Sequence, residues 1–241
     1  MALVNGINTT SITNCIGVSI SNITEMSGVI FSAPPAGIIT DSLQVHWDIQ
    51  NTSSYPGTGT TLTDLQGNNN GTLVGSPLYT AVGGADSLRF TGSQYINFAS
   101  AVIATDWTLS FWIRYYSSNT SYRRIFGMSG YRHELAFTND SFYIYDGGWF
   151  NTGITISPTT EWHKLTVTYT NSPRTITVYK NGIQVYTTGR GRTLTTTAYV
   201  MNSSDRSRAR VYIGDFMQYN KALTGAEELQ NYDALKTTYG R

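Results

Sequence analysis

The chain has 241 residues, room for one large all-β domain or for a medium domain with an appendage. Charged residues make up only 13% against 40% hydrophobic, which argues against helical bundles and coiled coils, whose outer faces need Glu, Lys and Arg. A formal net charge of +1 offers no field for nucleic acid or an anionic membrane, and Cys15, the single cysteine, excludes an intrachain disulfide and a cysteine-built zinc site.

Met1 to Thr10 carries no basic residue and no apolar run of signal-peptide length. Nowhere do about 20 apolar residues follow one another, as a membrane-spanning helix requires. Synthesis in the cytoplasm, with no signal peptide and no membrane span, is the expectation. Residues 1–40 hold no Trp or Tyr and lead into Ser32-Ala-Pro-Pro-Ala-Gly37, where Pro34-Pro35 fixes an extended linker. Ahead of it, Ile16, Val18 and Ile20 alternate in a β-prone stretch, Ile12 to Ile23, too small to bury its own apolar face. Docking of this arm on another protein or a sister chain is expected over fraying.

Residues 41–241 read with period two. Leu43, Val45, Trp47 and Ile49 alternate with polar neighbours, as do Trp107, Leu109, Phe111, Ile113 and Tyr115, and again Leu165, Val167 and Tyr169. Each run predicts a strand with one face on a core. Asn181-Gly182 between Lys180 and Ile183 predicts a two-residue hairpin turn, because both central residues need positive φ. At the end, Thr224 and Glu227 have capping-box spacing, and Leu229, Tyr232 and Leu235 predict the apolar stripe of a short helix running to about Thr237. The expected class is an all-β antiparallel sandwich, with an extended N-terminal arm (1–40) and a C-terminal helix.

Six segments occur in a telling order: Asp64-Leu-Gln-Gly-Asn-Asn-Asn-Gly-Thr-Leu73, Ser87–Gly92, Trp107–Tyr115, Trp162–Tyr169, Val178–Gly182 and Tyr212–Tyr232. Together they resemble the concanavalin A-like (laminin G-like) jelly-roll domain over roughly residues 41–239. Within that family, Asn220 to Lys236 and Tyr55-Pro-Gly-Thr-Gly59 are most similar to versions in structural proteins of tailed phages and large viruses. Some relatives are glycoside hydrolases, which carry Glu-x-Asp-x-Glu on one strand. None of Glu25, Glu134, Glu161, Glu227 and Glu228 lies two residues from another carboxylate on a strand, so no retaining pair about 5 Å apart is visible. His46, His133 and His163 lack zinc-protease spacing. A non-enzymatic protein with no cofactor is expected.

Binding chemistry has three candidate places. Trp149 follows a Gly-Gly turn, with Tyr145, Asp146 and Asn151 beside it. A ring held there would stack on sugar C–H faces while the polar groups fix hydroxyls; the alternative is that Trp149 folds back over the core. Tyr131-Arg132 and Tyr115-Tyr116 are further aromatic candidates. Arg206, Arg208 and Arg210 alternate and would share a strand face as a contact surface, together with Ile16, Val18 and Ile20 of the arm. Calcium, a ligand of some relatives, would find loop oxygens at Asp64, Asn68 and Asn70; the alternative there is a tight turn, and Asp48, beside His46, and Asp215 are lesser candidates. The resemblance implies a virion surface protein, a capsid decoration protein whose arm docks on capsid or other virion proteins. A homo-oligomer such as a trimer would display the jelly roll toward host or environmental glycans. The alternative is an adhesion module of a tail fibre or a cellular lectin.

Overall fold

The structure is a computed structural model that describes residues 36–98, 105–117, 122–128, 134–156, 160–189 and 208–241 in full. Short strands before residue 31 and residues 199–201 are described by their backbone alone. Contacts divide the chain into Met1–Gly37 and Ile38–Arg241.

The first unit holds three antiparallel hairpins: β1 (Leu3–Val4) with β2 (Ile7–Asn8), β3 (Asn14–Cys15) with β4 (Val18–Ser19), and β5 (Glu25–Met26) with β6 (Val29–Ile30). All three share one register, with Val4 opposite Ile7, Cys15 opposite Val18 and Met26 opposite Val29. Their starts, Leu3, Asn14 and Glu25, are 11 residues apart, and the sequence repeats a glycine at the same place: Gly6, Gly17 and Gly28. A two-residue connection with glycine second suits a tight hairpin turn. Ile16 and Ile20 lie outside the described residues. Cys15 pairs with Val18 antiparallel, so the β-prone stretch expected there contains two short strands, β3 and β4.

The second unit runs through β7 (Leu43–Trp47), β8 (Thr61–Leu62), β9 (Gly71–Val74), β10 (Leu78–Val82), β11 (Ala85–Phe90), β12 (Tyr95–Phe98), β13 (Trp107–Tyr115) and β14 (Arg123–Met128). It continues with β15 (Glu134–Thr138), β16 (Ser141–Tyr145), β17 (Trp149–Thr155), β18 (His163–Asn171), β19 (Arg174–Lys180), β20 (Ile183–Thr188), β21 (Tyr199–Met201), β22 (Val211–Tyr219) and α1 (Gly225–Leu235). One sheet is ordered β10-β11-β22-β13-β18-β19-β20, with β7 also pairing β22. The other is ordered β17-β16-β15-β14-β21-β12-β9-β8. All their strand pairs are antiparallel, and the two sheets form a sandwich.

Alternation puts Val45, Trp47, Leu109, Phe111, Ile113, Leu165, Val167 and Tyr169 of the first sheet against Ile96, Phe98, Phe126, Leu135, Phe137, Phe142 and Ile144 of the second, in one buried cluster. Tyr115 belongs to this core and is not an exposed aromatic. At the β19–β20 turn, Asn181 and Gly182 have φ of 54° and 78°, as the hairpin required.

The outer face of the first sheet is covered by the C-terminal segment. Thr224 caps α1 by accepting from the Glu227 N–H, and the Glu227 carboxylate accepts from the Thr224 N–H, a full capping box. The stripe expected docks in part: Tyr232 stacks on Trp112 and Leu235 packs against the same cluster. Leu229 is 45% exposed, while Glu228 and Asn231 are the buried residues of the helix. The reason is electrostatic: Lys164 of β18 is fully buried beneath the helix, and its ammonium lies 2.6 Å from both Glu228 oxygens. Burial pushes the Lys164 pKa down, and the Glu228 carboxylate opposes that shift. Asn231 accepts from the Ile39 N–H and donates to the Tyr219 hydroxyl, tying the unit's first residues to its last. Beyond the helix, Tyr239 stacks on Trp112 with centroids 4.3 Å apart and meets Trp162 edge-on.

Candidate functional site

Strand register builds an outward-facing platform on the second sheet. In β16, Phe142 and Ile144 enter the core, so Tyr143 and Tyr145 point the other way. Tyr145 stands opposite Glu134 of β15 and Trp149 of β17; Tyr143 stands opposite Ala136 and Asn151, and Ala136 opposite Arg124 of β14. Two cross-strand rows result, Glu134-Tyr145-Trp149 and Arg124-Ala136-Tyr143-Asn151. Ala136 adds no bulk between Arg124 and Tyr143.

The rings close over these rows. Tyr122 lies on Trp149 with centroids 4.1 Å apart and planes 9° apart, Tyr145 meets Trp149 edge-on at 5.2 Å, and Tyr122 meets Tyr143 edge-on at 5.2 Å. Arg124 sits 5.5 Å from the Trp149 ring centre and is held by a 2.7 Å charged hydrogen bond to Glu134. Asn151 donates to the Tyr143 hydroxyl at 3.1 Å. Trp149 is half-buried, whereas Trp47, Trp107, Trp112 and Trp162 are all at most 3% exposed. It therefore packs on the outside of the sheet and does not fold back into the core.

Of the predicted sugar-binding residues, the structure brings Trp149, Tyr145 and Asn151 together, with Asp146 in the connecting turn, where its N–H donates to the Gly148 carbonyl. Tyr131 lies outside the described residues. Tyr122, Arg124 and Glu134 are members that sequence reasoning missed; the only local signal was the aromatic-basic run Tyr122-Arg123-Arg124. Of the arginines, Arg206 lies outside the described residues and Arg210 is exposed. Arg208 bridges to Arg124 and stands 5.1 Å over the Tyr95 ring, which extends the platform toward β12.

The Asp64 loop is a turn in this geometry. Its carboxylate accepts four backbone N–H groups, from His46, Gln66, Asn68 and Asn69, at 2.7 to 3.1 Å. Asn70 accepts from the Asp64 N–H, and the Asn68 side chain donates to the Gln44 carbonyl. The oxygens a calcium ion would need are spent on holding the loop. A different group of possible metal ligands, His46, Asp48 and Asp215, has one donor atom from each residue within 4.8 Å of the others.

The four glutamates with described side chains are each paired with a cation: Glu134 with Arg124, Glu161 with Arg241, Glu227 with Lys221 and Glu228 with Lys164, at 2.6 to 2.7 Å. His163 points no hydrogen bond at a nucleophile. Burial, with Lys180 and Arg241 nearby, pushes its pKa down to about 4. No helix among the described residues is long and apolar enough to cross a membrane.

Solved structures share the fold at low identity. Domain 4 of AbnA, an extracellular arabinanase from Geobacillus stearothermophilus, in complex with arabinotriose, matches with a TM-score of 0.64 and 18% identity over 79% of this chain and 98% of that one. The binding domain of botulinum neurotoxin DC in complex with SialylT matches at 0.60 and 14% over 81% of this chain and 52% of its own. A Trypanosoma rangeli sialidase matches at 0.63 and 12% over 91% of this chain and 36% of its own. No curated protein matches the chain in sequence. The profile of the concanavalin A-like lectin/glucanases superfamily matches residues 90–227, more than half of the chain, and with the sandwich and its strand order this places the protein in that superfamily.

Proposed function

We propose that the second unit is a non-catalytic carbohydrate-recognition domain, and that the platform of Trp149, Tyr122, Tyr143 and Tyr145 is its binding face. The observation that carries this reading is the outward placement of Trp149 and Tyr122 beside Asn151, Arg124 and Glu134. Sugars present apolar C–H faces to aromatic rings and hydroxyls to planar amides and guanidinium groups. The arabinotriose and SialylT complexes of two proteins of the same fold support the reading. Pairing of every described glutamate with a cation favours binding over hydrolysis. A glycan array probed with the full chain and with Trp149→Ala tests it. Binding that collapses in the variant is expected; a blank array, or binding untouched by the substitution, overturns it.

A second reading concerns where the domain is displayed, and the 11-residue hairpin repeat favours it. A hairpin of two-residue strands is too short to stand alone, and repeats of such units gain stability by association. We propose that residues 1–37 hold sister chains together and attach them to a particle, as in a capsid decoration protein or a tail fibre. Light scattering of the full chain against a variant lacking residues 1–36 reads this. An oligomer that becomes monomeric on deletion is expected, and an unchanged state contradicts it.

A further inference from the structure

The outer face of the first sheet carries a group the carbohydrate reading does not use. Val45, Trp47 and Ile49 enter the core, so His46 and Asp48 point outward, at and just beyond the end of β7. On β22, Phe216 stands opposite Trp47, which sets Asp215 across from Asp48. His46 Nε2 lies 2.9 Å from Asp215 Oδ1, and one donor atom from each of the three residues falls within 4.8 Å of the others. Loop and tail hold the frame: the His46 N–H donates to Asp64, and the Asp215 N–H donates to the Tyr239 hydroxyl at 2.6 Å.

Two features point to a cation site. Asp215 is 1% exposed, yet its Oδ2 is buried with no hydrogen-bond partner among the described residues. A buried carboxylate oxygen left unsatisfied is costly unless something charged completes it. The cluster also has two carboxylates and only one imidazole. The buried ammonium of Lys164 is held by both oxygens of Glu228.

We infer that His46, Asp48 and Asp215 form a site for one divalent transition cation, zinc or manganese. The mixed nitrogen–oxygen donor set selects this class over calcium, which takes oxygen ligands. Water fills the remaining coordination positions, reached past Asp48, which is only half-buried. The ion clamps β7 to β22 beneath the C-terminal tail, so its role is to fasten the fold. A ligand that binds only the folded chain raises its melting temperature with concentration.

The test uses the full chain stripped with a chelator and then titrated with zinc, manganese or calcium chloride. Metal content is read by native mass spectrometry and stability by calorimetry. One zinc or manganese per chain is expected, with a melting temperature that rises with metal. Asp215→Asn, which keeps the shape, and His46→Gln each weaken apparent affinity at least tenfold, while Asp41→Asn, at an exposed carboxylate outside the cluster, leaves it unchanged. No bound metal, a response to calcium alone, or equal binding by Asp215→Asn overturns the inference. Because stoichiometry is read directly on folded wild-type chain, the result stands even if one variant folds poorly.

Discussion

Tyr122 and Trp149 lie face to face, 4.1 Å between centroids, although 27 residues of sequence separate them and neither enters the core. Their stack rests on Arg124, which Glu134 in turn fixes. A ring pair outside the interior contributes little to folding, on the order of 1 kcal/mol. Trp149→Ala and Tyr122→Ala are therefore expected to abolish sugar binding while shifting the melting temperature only slightly. Calorimetry alongside the binding assay separates the two effects.

Lys164 and Glu228 form a fully buried ion pair. Removing one partner strands the other charge in the interior, so Glu228→Gln should cost about 3 kcal/mol or more. Replacing both at once, with Lys164→Met and Glu228→Leu, removes the stranded charge and should recover most of that loss. Denaturant unfolding of the two variants measures the difference, and equal losses would show that the pair does not act as a unit.

His163 gives the fold an acid-side weakness. Its folded pKa is pushed down to about 4 by burial and by Lys180 and Arg241, while an unfolded histidine titrates at about 6.5. Between these values the unfolded chain binds the extra proton, so stability is full above about pH 6.5 and falls as pH drops toward 4. The loss is on the order of 2 kcal/mol. His163→Leu is expected to flatten this slope in unfolding curves taken across that window.

Tyr239 closes the outer face of the first sheet. It is 1% exposed, stacked on Trp112, and its ring occupies the space that a Cβ on Gly214 would need. Tyr239→Ala should cost about 3 kcal/mol by uncovering Trp112 and Trp162. Gly214→Ala should destabilise as well, by displacing the same ring. Near-ultraviolet circular dichroism, which reports the packing of these tryptophans, is expected to change in both variants.

Local pattern made the strands legible. The alternations at Leu43–Trp47, Trp107–Tyr115 and His163–Asn171, the Asn181-Gly182 turn and the Thr224–Glu227 cap all express geometry set within a few residues. The polar underside of the helix was not legible, because Glu228 answers to Lys164, 64 residues earlier. The same holds for the binding platform, where Trp149 was readable from its turn but Tyr122, Arg124 and Glu134 join it only through strand register. The hairpins of the arm were not read from the sequence. The arm's period of 11 residues, marked by Gly6, Gly17 and Gly28, is hidden when attention rests on the alternation of Ile16, Val18 and Ile20 alone.

The central claim is that sugars meet this protein on the outer face of β14 to β17. The five tryptophans give five indole N–H resonances, and only Trp149 is half-buried. A proton–nitrogen correlation spectrum recorded with the strongest glycan from the array should move the Trp149 indole signal and leave the other four in place. A spectrum in which Trp149 stays fixed while the glycan binds would contradict the account.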